Sequence, residues 1–107
     1  MISSDAETLL ATLRERAGVG ELFTVAFTRG SVSVEMYAPR QADRQLPHAQ
    51  DELYVVHRGT GEFVRQTFSA GSVFFVPAGE PHRFENFSDD FSTWVIFFGP
   101  QGGEQVG

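Results

Sequence analysis

The sequence contains no cysteine. That excludes disulfides, thiolate metal ligands and a cysteine nucleophile. Lysine is absent as well, so Schiff-base chemistry is excluded and all eight basic side chains are arginines. Histidine is limited to three positions, His48, His57 and His82, and any imidazole base or imidazole-built metal site must draw on them. Basic charge is scarce: eight basic against fourteen acidic residues give a net charge of -6. That balance argues against non-specific binding to nucleic acid or to an anionic membrane surface. Long apolar runs are missing too; "SVFFVPA" is far too short to span a bilayer. The N-terminal "MISSDAETLL" has no basic stretch leading into an apolar one, so no secretory signal is visible and a cytoplasmic location is expected.

The 107 residues suffice for a single domain with one core. "SSDAETLLATLRERAG" predicts an amphipathic helix over about 4–17. Ser4 and Glu7 form a capping box, Gly18 stops the helix as a left-handed residue, and Ala6, Leu9, Leu10, Leu13 and Ala17 share one face. The helix lids the core and is assigned no chemistry. From Glu21 the period changes. "ELFTVAFT", "SVSVEMYA", "DELYVVHR", "EFVRQTF", "GSVFFVP", "HRFENF" and "FSTWVIFF" are short β-rich runs separated by Gly, Pro and polar punctuation. This predicts an all-β barrel or sandwich over about 21–99, with "RG" and "GTG" as tight hairpin turns. The glycine-rich end, 100–107, is expected to fray. "FSTWVIFF" is apolar on both faces, Trp94, Ile96 and Phe98 on one, Val95 and Phe97 on the other. A strand of that kind is buried on both sides, and in so small a domain the second cover is expected from another copy of the chain, a homodimer.

Strand alternation locates the chemistry. If His48 points inward, so do Gln50, Glu52, Tyr54 and Val56, while Asp51 and His57 face away. His57 is then a surface histidine before a turn. In "GSVFFVPAGEPHRFENF", Gly71 opens a buried strand, Pro77 and Gly79 shape a turn, and His82 begins a strand that shares its face with Phe84 and Asn86. A barrel that brings His48, Glu52 and His82 together gathers two imidazoles and a carboxylate around one point. The plainer alternative is hydrogen-bonded scaffolding without an ion.

The run Gly71, Pro77, Gly79, His82, Asn86 resembles the second motif of the cupin superfamily at every fixed position. The first motif is matched in its second half by His48, Glu52 and Gly59; the family's first histidine falls on Leu46 and its leading glycine on Arg40. The resemblance implies a small cupin: an all-β jelly-roll barrel with one N-terminal α-helix, holding a divalent metal (Fe, Mn, Ni or Zn). The ligands transferable by position, His48, Glu52 and His82, make a 2-His-1-carboxylate set of the kind that leaves positions open for substrate and O₂. Gln45 or Gln50 stands as a weak amide-oxygen donor in place of the missing histidine. The alternative is that losing a ligand leaves an empty binding pocket. The expected function is therefore a metal-dependent enzyme, dioxygenase-like or an isomerase or lyase, acting on a small organic molecule; the alternative is a non-catalytic binding or sensor module. Glu52 is a ligand or general base, and Tyr54 and Tyr37 are candidate proton donors or orienting groups. Phe84, Trp94, Phe75 and Phe98 are expected to form an apolar wall, with Arg40, Arg44 and Arg65 placed to hold a carboxylate at the mouth.

Overall fold

The computed structural model describes residues 1–16 and 22–105. Ala17 and Gly18, the expected helix end, and Glu21, the expected start of the barrel, lie outside the described residues. Helix α1 spans Ala6–Arg16. Its cap is Asp5 and not Ser4: Asp5 Oδ1 accepts the Thr8 N–H at 2.8 Å and Asp5 Oδ2 accepts the Thr8 hydroxyl at 3.0 Å. A carboxylate is the stronger acceptor, and its negative charge suits the helix N-terminus. Glu7, free of any capping role, pairs instead with Arg58 and lies 3.6 Å from His57.

The strands are β1 (Phe23–Arg29), β2 (Val32–Tyr37), β3 (Asp51–Arg58), β4 (Gly61–Phe63), β5 (Gln66–Phe68), β6 (Val73–Val76), β7 (Phe84–Glu85) and β8 (Ser92–Phe98). They form two antiparallel sheets, one in the order β1-β2-β8-β3-β6 and one in the order β5-β4-β7. Alternation sends Tyr37, Glu52, Tyr54, Val56, Val95 and Phe97 from the large sheet into the space between the two. Phe63, Phe68 and Phe84 meet them from the small sheet, with Phe91 beside them. The centre of the core is aromatic, its rings mostly tilted or edge-on: Tyr54 stands edge-on to Phe84 at 5.0 Å, and Phe63 and Phe84 lie 4.3 Å apart at 31°.

The other face of the large sheet is only partly covered. Leu9, Leu10 and Leu13 of α1 are buried with Met36 and pack against Ala26, Ala38 and Trp94. Each buried leucine contributes roughly 2 kcal/mol, which holds in place a helix too short to persist alone. The second face of β8 is therefore covered at Trp94 by the chain's own helix. That helix does not reach β6, an edge strand, where Val73 and Phe75 are 61% and 55% exposed. Within one chain, β8 is buried on its inner face and half-buried on its outer one.

Two further expectations change. The run 62–68 is not one strand but the hairpin β4–β5, with Val64 and Arg65 at its tip at φ 45° and 69°. "GTG" is no hairpin; it carries the chain from the large sheet to the small one. A Cβ on Gly59 would stand 2.7 Å from Phe91 Cα, and one on Gly61 2.8 Å from the Phe68 ring, so the crossing requires bare backbone. The segment 100–105 is tied to the rest of the chain by two hydrogen bonds: Gly102 N–H donates to the Ala49 carbonyl at 2.7 Å and Glu104 N–H to Asp51 Oδ2 at 2.9 Å. Asp51 faces away from the core as expected, yet it is buried beneath this segment.

Candidate metal centre

Two stretches build the site. The irregular chain between β2 and β3 carries Asp43, Gln45 and His48, and β3 carries Glu52 and Tyr54. The chain between β6 and β7 carries His82. Pairing of β3 with β6 sets Glu52 opposite Val76. The Pro77–Gly79 turn is then clamped to the first stretch, Ala78 N–H donating to Asp51 Oδ1 at 2.9 Å and Gly79 N–H to the His48 carbonyl at 2.7 Å. Gly79 sits at φ 79°, which explains the glycine at that fixed position. The chain reverses there and lays His82 over Glu52.

One ligand atom each from His48, Glu52 and His82 lies within 4.8 Å of the others. Glu52 Oε1 is 3.0 Å from His82 Nε2, and both side chains are 1% exposed. Two adjacent donors on one ion, each bonded at about 2.1 Å, stand roughly 3 Å apart. Glu52 Oε2 is buried and meets no hydrogen-bonding group among the described residues, a costly state for a carboxylate oxygen. His82 Nδ1 donates to the Glu80 carbonyl at 2.8 Å, which fixes the ring with Nε2 turned into the site, the arrangement metal-bound histidines use. An orphaned carboxylate oxygen and a tautomer held from behind are what a divalent cation would satisfy; the residues present fit one.

Electrostatics set the proton inventory. Burial disfavours charge on His82, but its hydrogen bonds to Glu52 and to the Glu80 carbonyl, with the charges of Glu52 and Asp43, outweigh that and raise its pKa above 6.5. Burial, then the charge of Glu52, pushes the Tyr54 hydroxyl far up; burial, then the hydrogen bond and charge of Asp43, does the same to Tyr37. Both phenols stay protonated. Tyr54 is at the cluster, its hydroxyl 2.9 Å from His82 Nε2 and 3.1 Å from Gln45 Oε1. Tyr37 is one step removed, donating to Asp43 Oδ1 at 2.5 Å and stacked on Phe23 at 4.0 Å.

The remaining candidates divide. Gln45 Oε1 lies 3.2 Å from His48 Nε2. Gln50 is turned away, donating to the Ser31 and Gly99 carbonyls. Asn86 does not share the face of His82: it sits at φ 51°, exposed, donating to Glu62, and serves a left-handed bend that asparagine tolerates. His57 is on the outer face as expected. Of the expected apolar wall only Phe84 is internal; Trp94, Phe75 and Phe98 belong to the outer face, and Phe97 and Phe63 take their place beside His48 and His82. A recess of about 410 Å³ lined by Phe23, Glu35, Gln50 and Phe97 opens on His48. Another of about 350 Å³, with Arg65 and Arg83 on its walls, opens on Gln45 and His82. Arg40 lines a separate cavity of about 640 Å³ beneath α1, away from the cluster, and Arg44 is exposed. Sequence reading missed Asp43, which is 4% exposed and accepts hydrogen bonds from three segments at once.

Comparison with known proteins agrees with this architecture. The family model for the cupin domain matches residues 33–98. An uncharacterized protein of Streptomyces coelicolor is 34% identical over 93 residues, covering 81% of this chain and 89% of its own length. Among solved structures, one from Ralstonia eutropha, provisionally named a mannose-6-phosphate isomerase, superposes with a TM-score of 0.61 at 19% identity, over 71% of this chain and 82% of that one. A cupin-2 domain containing protein from Shewanella frigidimarina gives 0.55 at 17% identity, over 86% and 97%. At such identities the two solved structures speak for the fold alone.

Proposed function

The chain belongs to the cupin domain family, and from that premise we propose that it is a metal-binding cupin acting on a small organic molecule. His48, Glu52 and His82 would hold one divalent ion. The observation that carries this reading is that ligand atoms of those three residues lie within 4.8 Å of one another, while Glu52 Oε2 is buried there with no hydrogen-bond partner among the described residues. Bound there, a divalent ion supplies Lewis-acid polarisation of an oxygen function or, as iron, chemistry with O₂. The chain's own residues do the rest. Glu80 holds the His82 ring in its liganding tautomer. Tyr54 keeps a proton at its hydroxyl beside the cluster and serves as a donor, never as a base. Phe97 and Phe23 present apolar surface at the recess on the His48 side, and Glu35 stands on the same wall as the acceptor or base that is not itself a ligand. Dioxygenation, isomerisation and elimination all fit such a site; the name of the Ralstonia neighbour puts sugar-phosphate isomerisation among the reactions to try. The second reading, a cupin that binds its ligand without turning it over, is favoured by the Tyr37 hydroxyl being committed to Asp43 and so withheld from a ligand.

Metal content decides the first question. Purified without an affinity tag, the protein should carry about one divalent ion per chain, and His48→Ala and His82→Ala should each lose most of it by elemental analysis. Unchanged content in both would overturn the site. Oxygen uptake after anaerobic Fe(II) loading, against tight retention of an unmodified ligand, separates enzyme from binder.

A second copy of the chain is proposed to cover the outer sheet face. Val34, Ile96, Leu53 and Phe75 stand in register across four strands, with Val55 and Val73 beside them, and none is charged. In a chain of net charge -6, copies repel one another except where charge is absent. The cytoplasm is the compartment proposed for a protein without cysteine; among the described residues, no helix is long and apolar enough to cross a membrane.

A further inference from the structure

We propose that Gln45 supplies a fourth donor to the metal centre through its amide oxygen, and that Asp43 is the positioning residue that turns the oxygen inward. The inference rests on the reading of His48, Glu52 and His82 as ligands and extends it to residues whose place that reading leaves open.

An amide side chain has two chemically opposite ends, so its usefulness to a cation depends on which end faces the site. Here the hydrogen bonds decide. Gln45 Nε2 donates to Asp43 Oδ2 at 2.9 Å. A carboxylate oxygen accepts, so the NH₂ group must face Asp43 and the oxygen must face away. Facing away means facing the cluster: Gln45 Oε1 is 3.2 Å from His48 Nε2 and 3.1 Å from the Tyr54 hydroxyl. The separation from His48 matches that between Glu52 Oε1 and His82 Nε2, the spacing of neighbouring donors on one ion.

Asp43 is itself immobilised. Its Oδ1 accepts from the Tyr37 hydroxyl at 2.5 Å and the Gln45 backbone N–H at 3.2 Å, and its Oδ2 also accepts from the Phe84 backbone N–H at 2.8 Å. One buried carboxylate thus ties β2, the chain ahead of β3 and β7 to one point and hands the resulting rigidity to Gln45. Such outer partners of metal ligands are worth about 10- to 100-fold in affinity. The donor set becomes two imidazoles, one carboxylate and one neutral oxygen, an even mixture of nitrogen and oxygen without thiolate that suits Mn(II) and Fe(II) and is poor for soft, thiophilic ions.

The test is equilibrium binding of Mn(II) and Co(II) to metal-stripped protein, with folding checked by circular dichroism. Gln45→Ala should weaken Mn(II) binding about 10-fold or more and alter the visible spectrum of the Co(II) form. Asp43→Asn should weaken it comparably, and in the Gln45→Ala background should add little, since it acts through Gln45. Mn(II) affinity and Co(II) spectrum unchanged by Gln45→Ala would overturn the inference, even while His48→Ala and His82→Ala abolish binding and leave the three-ligand reading intact. An Asp43→Asn cost as large in the Gln45→Ala background as in the unaltered chain would strip Asp43 of its role. Should Asp43→Asn not fold, the Gln45→Ala affinity and spectrum decide the matter alone.

Discussion

At the scale of residues, the site is an exercise in where protons may stand. With no ion present, the 3.0 Å contact between Glu52 and His82 needs a proton between them, and with Nδ1 already committed to Glu80 a second proton on the ring supplies it. The pKa of His82 is accordingly raised. A pKa higher in the folded than in the unfolded chain contributes stability that is complete below about 6.5 and fades as pH climbs through the folded value. Metal-stripped protein should therefore lose urea stability as pH rises from 6 to 9, and Glu52→Gln, which removes the partner charge, should flatten that dependence; a profile equally steep in the variant would refute the pairing. Much of this was legible beforehand. Glu52 stands out because it interrupts an alternating β pattern with a group that is costly to bury, and His48 and His82 because they are two of only three histidines and fall on fixed motif positions. Asp43 does not, since it lies on irregular chain with no period to violate, and its importance arises only where three segments meet. Asn86 misled in the opposite sense: it fills a fixed motif position for a backbone reason, not to point inward.

At the scale of elements, β3 and β8 could be bounded almost to the residue, because eight and seven residues of β-branched and aromatic character are hard to place otherwise. The β4–β5 hairpin could not. Its two tip residues take left-handed backbone without the Gly or Asn that announces such a turn, so nothing divides "EFVRQTF". Strain of this kind costs on the order of 1 kcal/mol or more at each position. Replacing Val64 with Asn and Arg65 with Gly should raise the thermal midpoint, reflecting a gain of about 1–2 kcal/mol, with metal content unchanged. A midpoint that falls would mean that the Val64 and Arg65 side chains contribute contacts worth more than the strain.

At the scale of the whole molecule, the sheet has two outer territories: one under α1, the other half-buried and open at the edge strand β6. The apolar second face of β8 was rightly conspicuous in the sequence, but its meaning was divided, because the helix claims Trp94 and leaves Ile96, Leu53 and Phe75 in line. If a second copy covers that line, light scattering at micromolar concentration should give twice the chain mass, and Phe75→Glu should return the mass of one chain without unfolding it, Phe75 being more than half exposed. A single-chain mass for the unaltered protein would dispose of the dimer. One connection joins the periphery to the interior. The two oxygens of Asp51 are divided between Ala78, in the turn that delivers His82, and Glu104, near the far end of the described chain. A peptidase nicking the backbone at Pro100 would loosen half of that grip, so enzymatic trimming of an outlying strip would be felt as slackness in the turn that carries His82 to Glu52.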